Sequence, residues 1–165
     1  MAAGHPPGGG TAAGDPRDGD GWTACGLGHR HWGLHGAAGL LVTAPGPLVL
    51  LQHRATWSHH GGTWGIPGGA RGSRETAVQA ALREAGEETG LVAGDVRVHG
   101  EVRDDHGGWS YTTVLASADG PLPVEALDGE SLELRWLSLP EIAELALHPG
   151  FAATWPGLQE GLRAG

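Results

Sequence analysis

Three glutamates, Glu84, Glu87 and Glu88, stand at positions i, i+3 and i+4 of a segment with helical periodicity. On a helix, these spacings bring the three carboxylates to one side, within about one turn of each other. Like charges so placed destabilise a helix by about 0.2–0.5 kcal/mol per pair, unless a cation lies between them. Magnesium suits such a place, because it prefers oxygen ligands and is commonly shared between carboxylates and a substrate phosphate. The alternative is a solvated acidic face with an ordinary salt bridge to Arg83.

Clear signals mark both ends of the helix that carries these glutamates. Thr76 is a favourable N-cap, Gln79 lies three residues later as a capping-box partner, and Gly90 supplies the C-terminal stop. One apolar face recurs at three- and four-residue spacing and consists of Ala77, Val78, Ala81, Leu82 and Ala85. Residues 67–69 and 72–73, Pro-Gly-Gly and Gly-Ser, predict a turn before it. The acidic cluster is therefore expected on a helix that follows a glycine-rich turn.

The whole segment from Gly69 to Leu91 reads GARGSRETAVQAALREAGEETGL. It has glycine at 69, glutamate at 75, Arg-Glu at 83–84, Glu-Glu at 87–88, glycine at 90 and an aliphatic residue at 91. Every defined position of the Nudix box is filled in this order, so the chain resembles the Nudix (MutT-related) hydrolases. That family cleaves a nucleoside diphosphate linked to another group. The resemblance is specific over the 23 residues of the box and extends more loosely over about 36–139.

The resemblance implies an α/β fold, a Nudix-type α/β/α sandwich with a mixed sheet and helices on both faces. The residue pattern agrees with it, since strands are predicted at 39–43, 48–54, 96–102, 109–116 and 132–137, with a turn at 45–47. Further helices are predicted from 140 to about 147 and from 156 towards 163. We expect one domain over 22–165, with its core at about 36–147, after a disordered Gly/Ala/Pro-rich tail at 1–21.

The resemblance also implies a metal site. By it, Glu84, Glu87 and Glu88 bind divalent metal, Mg²⁺ with Mn²⁺ as a substitute, and the backbone carbonyl of Gly68 is an additional ligand. The metals would polarise phosphoryl oxygens while water attacks a phosphorus of the diphosphate bridge. These glutamates are thus both the metal ligands and part of the catalytic set.

Two further residues of the box, Glu75 and Arg83, are expected to orient the metal ligands. Arg83 beside the acidic cluster would lower its net charge and pair with Glu75, as outer-shell partners do. In the family the general base is either a box glutamate, at the place of Glu84, or a glutamate from a later loop.

Glu130 is the first candidate for that later glutamate, both as a catalytic residue and as a metal ligand. It lies six residues before Trp136, ahead of a predicted strand. Glu133 and Glu125 are competitors for the same role. The alternative for Glu130 is an exposed loop carboxylate without function.

Substrate contacts must come from outside the box, and three residues are candidates. Arg54 closes the strand that leads into the site and could meet a phosphate or a purine edge, or could be a surface arginine at a strand end. Trp57 and Trp109 lie in Gly-rich loops and could each stack on a base, an interaction worth about 1–3 kcal/mol. The alternative for both tryptophans is packing against the domain.

Two motif residues of other subfamilies are absent from this chain, and their absence narrows the class of substrate. Where ADP-ribose hydrolases of the family have a proline beyond the box, this chain has His106, and His59 stands where coenzyme A hydrolases have their second upstream arginine. Hydrolysis of an unmodified or oxidised nucleoside triphosphate, such as 8-oxo-dGTP, is therefore the leading expectation. The alternatives are an ADP-ribose or nucleotide-sugar pyrophosphatase and a non-catalytic Nudix-fold nucleotide-binding module. An isopentenyl diphosphate isomerase needs an active-site cysteine, and Cys25 lies far upstream of the box.

Charge and composition limit the partners. The net charge is −9, and all ten basic residues are arginine, which argues against a protein that grips a nucleic-acid polymer. A single cysteine fits a reducing compartment, and the apolar runs at 39–42 and 48–51 are too short to span a bilayer. We expect a cytoplasmic protein with a small-molecule nucleotide substrate and no membrane role. Homodimers are frequent in the family.

A separate cluster precedes the predicted strands: Cys25, His29, His31 and His35 could together bind zinc. The alternative is a loop that packs Trp22 and Trp32 against the domain and leaves the histidines as polar surface. The segment lacks the paired Cys-x-x-Cys or spaced histidines of common structural zinc sites, which favours the loop.

Overall fold

The computed structural model describes residues 17–58 and 60–163. Within these residues the chain forms nine strands: β1 (Trp22–Ala24), β2 (Arg30–Trp32), β3 (Ala37–Ala44), β4 (Leu48–Arg54), β5 (Trp64–Gly65), β6 (Gly68–Ala70), β7 (Arg97–Asp105), β8 (Ser110–Ser117) and β9 (Ser131–Ser138). Three α-helices accompany them: α1 (Ala77–Thr89), α2 (Leu139–Ala143) and α3 (Pro149–Arg163). The first two strands pair only with each other, and the other seven form one sheet.

The large sheet is mixed. Its main path runs β5-β4-β3-β8-β7, while β6 pairs with β3 and β9 pairs with β4. The pairing of β3 with β8 is parallel, with Ala37 opposite Tyr111, and the other pairings in this sheet are antiparallel. The parallel pair brings the start of β8 beside the start of β3, and β6 lies on the same part of β3.

Helices cover both faces of the sheet, which confirms the predicted sandwich. On one face, Ala80, Ala81 and Ala85 of α1 are fully buried against residues of β3, β4 and β8. On the other, Ile142 of α2 and Phe151 and Trp155 of α3 pack on alternate residues of the same strands. Because successive side chains of a strand point to opposite faces, β3 serves both cores.

Helix α1 begins and ends where the sequence predicts. The Gln79 N–H donates to Oγ1 of Thr76 at 3.1 Å, and the Thr76 N–H donates to Oε1 of Gln79 at 2.9 Å. Gly90 adopts the left-handed conformation, φ 73°, that ends a helix at low cost. These two caps fix the position of the glutamates along the helix.

Several predicted boundaries are wrong. Gly68 and Gly69, predicted as part of a turn, belong to strand β6, and the segment predicted as a loop at 22–35 contains the β1–β2 hairpin. Helix α2 is shorter than the predicted 140–147, and α3 begins at Pro149 with Pro156 inside it rather than at its start. The middle strands lie where predicted, within two or three residues at their ends.

The predicted tail at 1–21 lies outside the described residues over 1–16. Residues 17–21 pack on the domain, because the Leu34 N–H donates to the Gly19 carbonyl at 2.7 Å and the Ser73 N–H to Oδ1 of Asp18 at 2.7 Å. In the described part of the chain, no helix combines the length and the apolar composition needed to cross a membrane.

Candidate active site

Glu88 is the most enclosed member of the acidic cluster. Its residue is only 8% exposed, and its Oε2 accepts a hydrogen bond from the Gly68 N–H at 3.0 Å. Burial raises the pKa of this carboxyl well above its usual range, and the carboxylates of Glu84 and Asp128 raise it further. A charge so placed is costly without a cation, since burial disfavours the ionised form.

The carboxylate of Glu84 lies against the backbone of Gly69. A Cβ added at Gly69 would come within 2.6 Å of the Glu84 carboxyl carbon, so a side chain at this position would displace the carboxylate. Burial also raises the pKa of Glu84, although the neighbouring Arg83 opposes the shift. Glycine at the start of the box is thus required by a close approach and not by an unusual backbone angle.

Arg83 connects the acidic residues of the box. Its Nε and Nη2 donate to the two carboxylate oxygens of Glu75, both at 2.8 Å, so the predicted pair is present and bidentate. Nη2 also donates to the Ala70 carbonyl at 3.1 Å, and Nη1 reaches Glu84 at 3.0 Å and Glu87 at 3.5 Å. The guanidinium therefore fixes α1 to the loop before it.

Glu75 is bound both by Arg83 of α1 and by a backbone N–H of the loop that precedes the helix. Its Oε1 also accepts the Gly72 N–H at 2.9 Å. Hydrogen bonding to Arg83 holds the pKa of the Glu75 carboxyl below its usual range. Glu75 consequently stays ionised and bound to the guanidinium, which is what an orienting residue requires.

The acidic cluster offers donors that fit a hard divalent cation. Two carboxylates, those of Glu84 and Glu88, lie against Gly68 and Gly69, and such oxygens are the ligands that magnesium and manganese prefer. Glu87 is more peripheral: its side chain is 40% exposed and contacts Arg83 and, at 3.7 Å, Arg17. The residues therefore fit the metal that the resemblance implies, with Glu84 and Glu88 as the inner pair.

Arg54 and Tyr111 belong to the same neighbourhood. The positive charge of Arg54 lowers the pKa of Glu88, and the role of Arg54 in binding substrate stays a prediction. Tyr111 was not predicted. Burial raises the pKa of its hydroxyl, with further contributions from Glu88 and Glu84, and a Cβ at Gly39 would nearly coincide with its oxygen. Only the parallel β3–β8 pairing brings this tyrosine to the box, and no local signal indicates that.

The later loop supplies a carboxylate that the sequence analysis missed. Asp128 lies near enough to Glu88 to raise its pKa, and its Oδ1 accepts the Ser131 hydroxyl at 2.7 Å. Glu130, two residues on, is exposed, and its backbone carbonyl accepts the Ala55 N–H at 2.7 Å. Glu125 and Glu133 are exposed as well. The role of Glu130 stays a prediction, and a search of this loop for aspartate as well as glutamate would have found Asp128.

The two tryptophans proposed to stack on a base, Trp57 and Trp109, differ sharply in their exposure to solvent. Trp57 is 70% exposed in the turn after β4, so its face is accessible and its role stays a prediction. Trp109 is buried, its Nε1 donates to the Gly33 carbonyl at 2.9 Å, and His31 stacks on its ring with centroids 3.8 Å apart. The packing alternative therefore describes Trp109, and the prediction that it stacks on a base is wrong.

The Cys/His segment also differs from the prediction. Cys25, His29 and His31 come together with His106 of the β7–β8 loop, and their ligand atoms all lie within 4.8 Å of one another. His35 is not a member; its carbonyl accepts Nε of Arg71 at 3.2 Å. Trp22 and Trp32, expected to pack on the domain, instead contact each other and are 43% and 45% exposed.

Comparisons with known proteins agree with this site. A family model described as the NUDIX domain matches residues 33–156. A Mycobacterium tuberculosis protein named "Putative 8-oxo-dGTP diphosphatase 3" is 52% identical over 154 residues, covering 86% of this chain and 70% of that protein. A Bifidobacterium longum "Nucleoside triphosphate pyrophosphatase/Nudix hydrolase fusion protein" is 42% identical over 146 residues, covering 84% of this chain and 30% of the relative.

A solved structure shares the fold closely. The crystal structure of RenU, a Nudix hydrolase from Mycobacterium smegmatis, superimposes with a TM-score of 0.80 at 51% identity, covering 88% of this chain and 96% of that one. The family model spans most of the chain, and the box residues adopt the arrangement described above. The chain therefore belongs to the Nudix family and is an enzyme that hydrolyses phosphorus-containing anhydrides.

Proposed function

We propose that this enzyme hydrolyses nucleoside triphosphates, oxidised ones such as 8-oxo-dGTP foremost, to the nucleoside monophosphate and pyrophosphate. The observation that carries the reaction is the pair of carboxylates set against Gly68 and Gly69, with Glu88 buried and Glu84 partly buried. The substrate class is supported by the Mycobacterium tuberculosis relative, which is 52% identical and whose name contains this activity.

We propose Mg²⁺ as the resident metal, with Mn²⁺ as a substitute. Glu84, Glu87, Glu88 and the Gly68 carbonyl would hold it, and the carboxylate oxygens are suited to a hard cation. When bound, such an ion polarises the phosphoryl oxygens and neutralises charge on the leaving phosphate. Glu87 would turn from Arg83 towards the inner pair.

The remaining residues of the box position these ligands. Arg83 holds Glu84 and the Ala70 carbonyl in fixed relation, and Glu75 keeps the guanidinium in its place through the bidentate pair. Both are positioning residues rather than groups that touch the substrate. Their effect is to limit the rotamers that Glu84 can adopt, which keeps the site preorganised.

One carboxylate must accept a proton from the attacking water. Glu84 and Glu130 are the candidates from sequence, and the structure adds Asp128 because it lies near Glu88. Arg54 is proposed to meet a phosphate oxygen, since its charge acts on Glu88 and on the Tyr111 hydroxyl beside it. Trp57 is the remaining candidate for stacking on the base.

We propose the binding partner, the cellular location and the assembly of this enzyme on chemical grounds. A net charge of −9 suits a small nucleotide brought in by a metal better than a nucleic-acid polymer. We propose a cytoplasmic enzyme, where the nucleotide pool is found, and a homodimer as its assembly.

The proposal is tested by turnover with Mg²⁺ on 8-oxo-dGTP, dGTP, the other nucleoside triphosphates, ADP-ribose, nucleotide sugars, dinucleoside polyphosphates and coenzyme A. Products are separated by anion-exchange chromatography. The decisive variant is Glu88→Gln, and Glu160→Gln, an exposed glutamate of α3, is its matched control. Glu84→Gln, Asp128→Asn and Glu130→Gln separate the three candidate bases through their pH–rate profiles.

We expect monophosphate and pyrophosphate from 8-oxo-dGTP, with kcat/KM at least about tenfold above that for dGTP, since one hydrogen bond is worth about this much. Glu88→Gln should lower kcat/KM by more than about 100-fold, because even outer-shell changes cost about 10–100-fold. Glu160→Gln should change nothing. Equal turnover in the two variants would refute the site, and preferred cleavage of ADP-ribose or a nucleotide sugar would refute the substrate class.

A further inference from the structure

A second set of metal-ligand side chains lies outside the Nudix box. Cys25 and His29 flank the turn of the β1–β2 hairpin, His31 follows on β2, and His106 reaches in from the β7–β8 loop. One ligand atom from each residue can be chosen so that all four lie within 4.8 Å of one another. Three segments of backbone thus converge on one point with one thiol and three imidazoles.

Two ring nitrogens in this cluster are buried without a hydrogen-bond partner. They are Nε2 of His31 and Nδ1 of His106, and among the described residues they are the buried side-chain polar atoms left unsatisfied. Burying a polar atom without a partner costs about 1–3 kcal/mol. Two such atoms in one place, beside a buried thiol, indicate a partner that the protein atoms themselves do not supply.

His106 has the surroundings of a metal ligand. Its other nitrogen, Nε2, is 2.8 Å from Oδ2 of Asp104, which fixes the ring and leaves Nδ1 facing away from the carboxylate. Histidines that bind metal almost always donate their second N–H to a carboxylate, a carbonyl or water. His31 is held as firmly, since it stacks on Trp109 with planes 6° apart.

We propose that Cys25, His29, His31 and His106 bind one zinc ion in a closed, structural site. One thiolate and three imidazoles are a donor set that zinc takes tetrahedrally, with Zn–N at about 2.0–2.1 Å and Zn–S at about 2.3 Å. Those lengths put neighbouring ligand atoms about 3.3–3.6 Å apart, so the present arrangement needs to contract by about 1 Å. Binding releases the proton of the Cys25 thiol to solvent.

The architecture explains what the ion would stabilise. Strands β1 and β2 have three residues each and pair only with each other, and an isolated hairpin of this kind is marginal in water. Its local core is small: Cys25, Ala37 and Trp109, with Tyr111 against it. A zinc ion would join the hairpin to the β7–β8 loop, where one backbone hydrogen bond, from the Gly26 N–H to the Gly107 carbonyl, already links them.

The site is chemically distinct from the acidic cluster. Hard Mg²⁺ prefers oxygen ligands, whereas thiolate and imidazole favour zinc. With four protein ligands it has no open position for substrate, so we assign it no part in the hydrolysis.

The test uses the full-length protein with any affinity tag removed and with no chelator during purification. Metal content is measured by inductively coupled plasma mass spectrometry, before and after incubation with excess Zn²⁺ and desalting. We expect about one zinc per chain. The variants are Cys25→Ser and His106→Asn, and His35→Asn is the matched control, a histidine of the same segment outside the cluster.

Each ligand variant should hold less than about a tenth of the wild-type zinc at equal protein and zinc concentrations, which corresponds to a loss of affinity of 10–100-fold or more. His35→Asn and Glu88→Gln should keep the full content, and the second separates this site from the Nudix metal site. Zinc below about 0.2 per chain in wild type after the incubation, or equal content in wild type and Cys25→Ser, would overturn the proposal.

Two measurements remain informative if a ligand variant fails to fold. Wild-type protein loaded with Co²⁺ should show the visible bands of tetrahedral cobalt and a near-ultraviolet thiolate-to-cobalt band; spectra without either refute the site. Asp104→Asn should fold, bind one zinc, and release it to a competing chelator about 10–100-fold more readily than wild type. Unchanged competition would contradict the role given to His106.

Discussion

The bidentate ion pair between Arg83 and Glu75 should contribute more to folding stability than the exposed pair between Arg97 and Asp119. The guanidinium and carboxylate meet through two bonds of 2.8 Å, and the two side chains are only 17% and 15% exposed. A double-mutant cycle with Arg83→Met, Glu75→Gln and the double variant isolates this pair from the contacts that Arg83 makes with Glu84 and Glu87.

The expected size follows from the geometry. At an effective dielectric constant of about 20, two unit charges 4 Å apart attract by about 4 kcal/mol, an upper limit for a pair that water still reaches. Hydrogen bonds to charged groups contribute about 1.5–3 kcal/mol net. Partial exposure and the cost of desolvating both groups reduce the sum, so we expect a coupling free energy of about 2 kcal/mol.

The assay is urea unfolding near neutral pH, followed by circular dichroism, for the four proteins of the cycle. Arg97 and Asp119 provide the control cycle, because they too meet at 2.9 Å but are 63% and 90% exposed. Exposed pairs of this kind are worth about 0–1 kcal/mol. The two cycles therefore compare a buried bidentate pair with an exposed pair at nearly the same distance.

Equal coupling in the two cycles would refute the claim that burial makes the box pair strong. The single variants Arg83→Met and Glu75→Gln should also raise the Mg²⁺ concentration needed for half-maximal turnover by about 10–100-fold, because Glu84 loses its fixed rotamer. A large coupling in stability without any change in that concentration would make the pair purely structural and remove the positioning role.

Two further predictions concern the carboxylates themselves. Gly69→Ala should lower kcat/KM by about 10–100-fold, since its Cβ would lie within 2.6 Å of the Glu84 carboxyl carbon. Gly94→Ala is the control and should have no effect, because the space around the added Cβ is open. Equal activity in the two variants would show that Glu84 moves aside without loss of function. Because burial raises the pKa of Glu88, metal-free folding takes up a proton once the pH passes the usual glutamate pKa. Stability should therefore fall as the pH rises above that value, and added Mg²⁺ should restore it most at high pH. Thermal unfolding with and without Mg²⁺, without chelator, measures this, and a stabilisation by Mg²⁺ that does not grow with pH, or that persists in Glu88→Gln, would contradict it.

The parts of the fold that were predicted correctly are those determined by local signals. Helix α1 has its capping box at Thr76 and its left-handed stop at Gly90, and the middle strands alternate or carry β-branched residues. Strand β6 was missed because glycines normally indicate a turn. Here Gly68 pairs with Gly39 so closely that a Cβ would come within 2.5 Å of the Ala38 carbonyl oxygen. Glycine is present here because β3 and β6 lie too close together for a side chain, and only the tertiary structure shows this.

In the active site, too, residues close together in the sequence could be predicted, whereas those brought together by the tertiary structure could not. The partners of Arg83 all lie between Ala70 and Glu87, within or beside the box, so the resemblance to the family was enough to predict its pairing with Glu75. Tyr111, Asp128 and His106 come from distant parts of the chain through sheet pairing and loop placement. The sequence analysis named Glu130 in the same loop as Asp128, and it grouped His35 with Cys25, His29 and His31 where the structure has His106.

The proposed zinc site would also stabilise the segment that lies between the box and the β7–β8 loop. Residues 17–36 contact the box through Asp18 and Ser73, and they contact the β7–β8 loop through the Cys/His cluster. The apolar core of this segment is small, and ordering each residue's backbone costs about 1–2 kcal/mol. A zinc ion bound there would add to the stability of the segment, because metal binding to a site formed only on folding is itself folding free energy. On this view the hydrolytic metal acts in the reaction, while zinc holds in place the segment that packs beside the glycine-rich loop of the box.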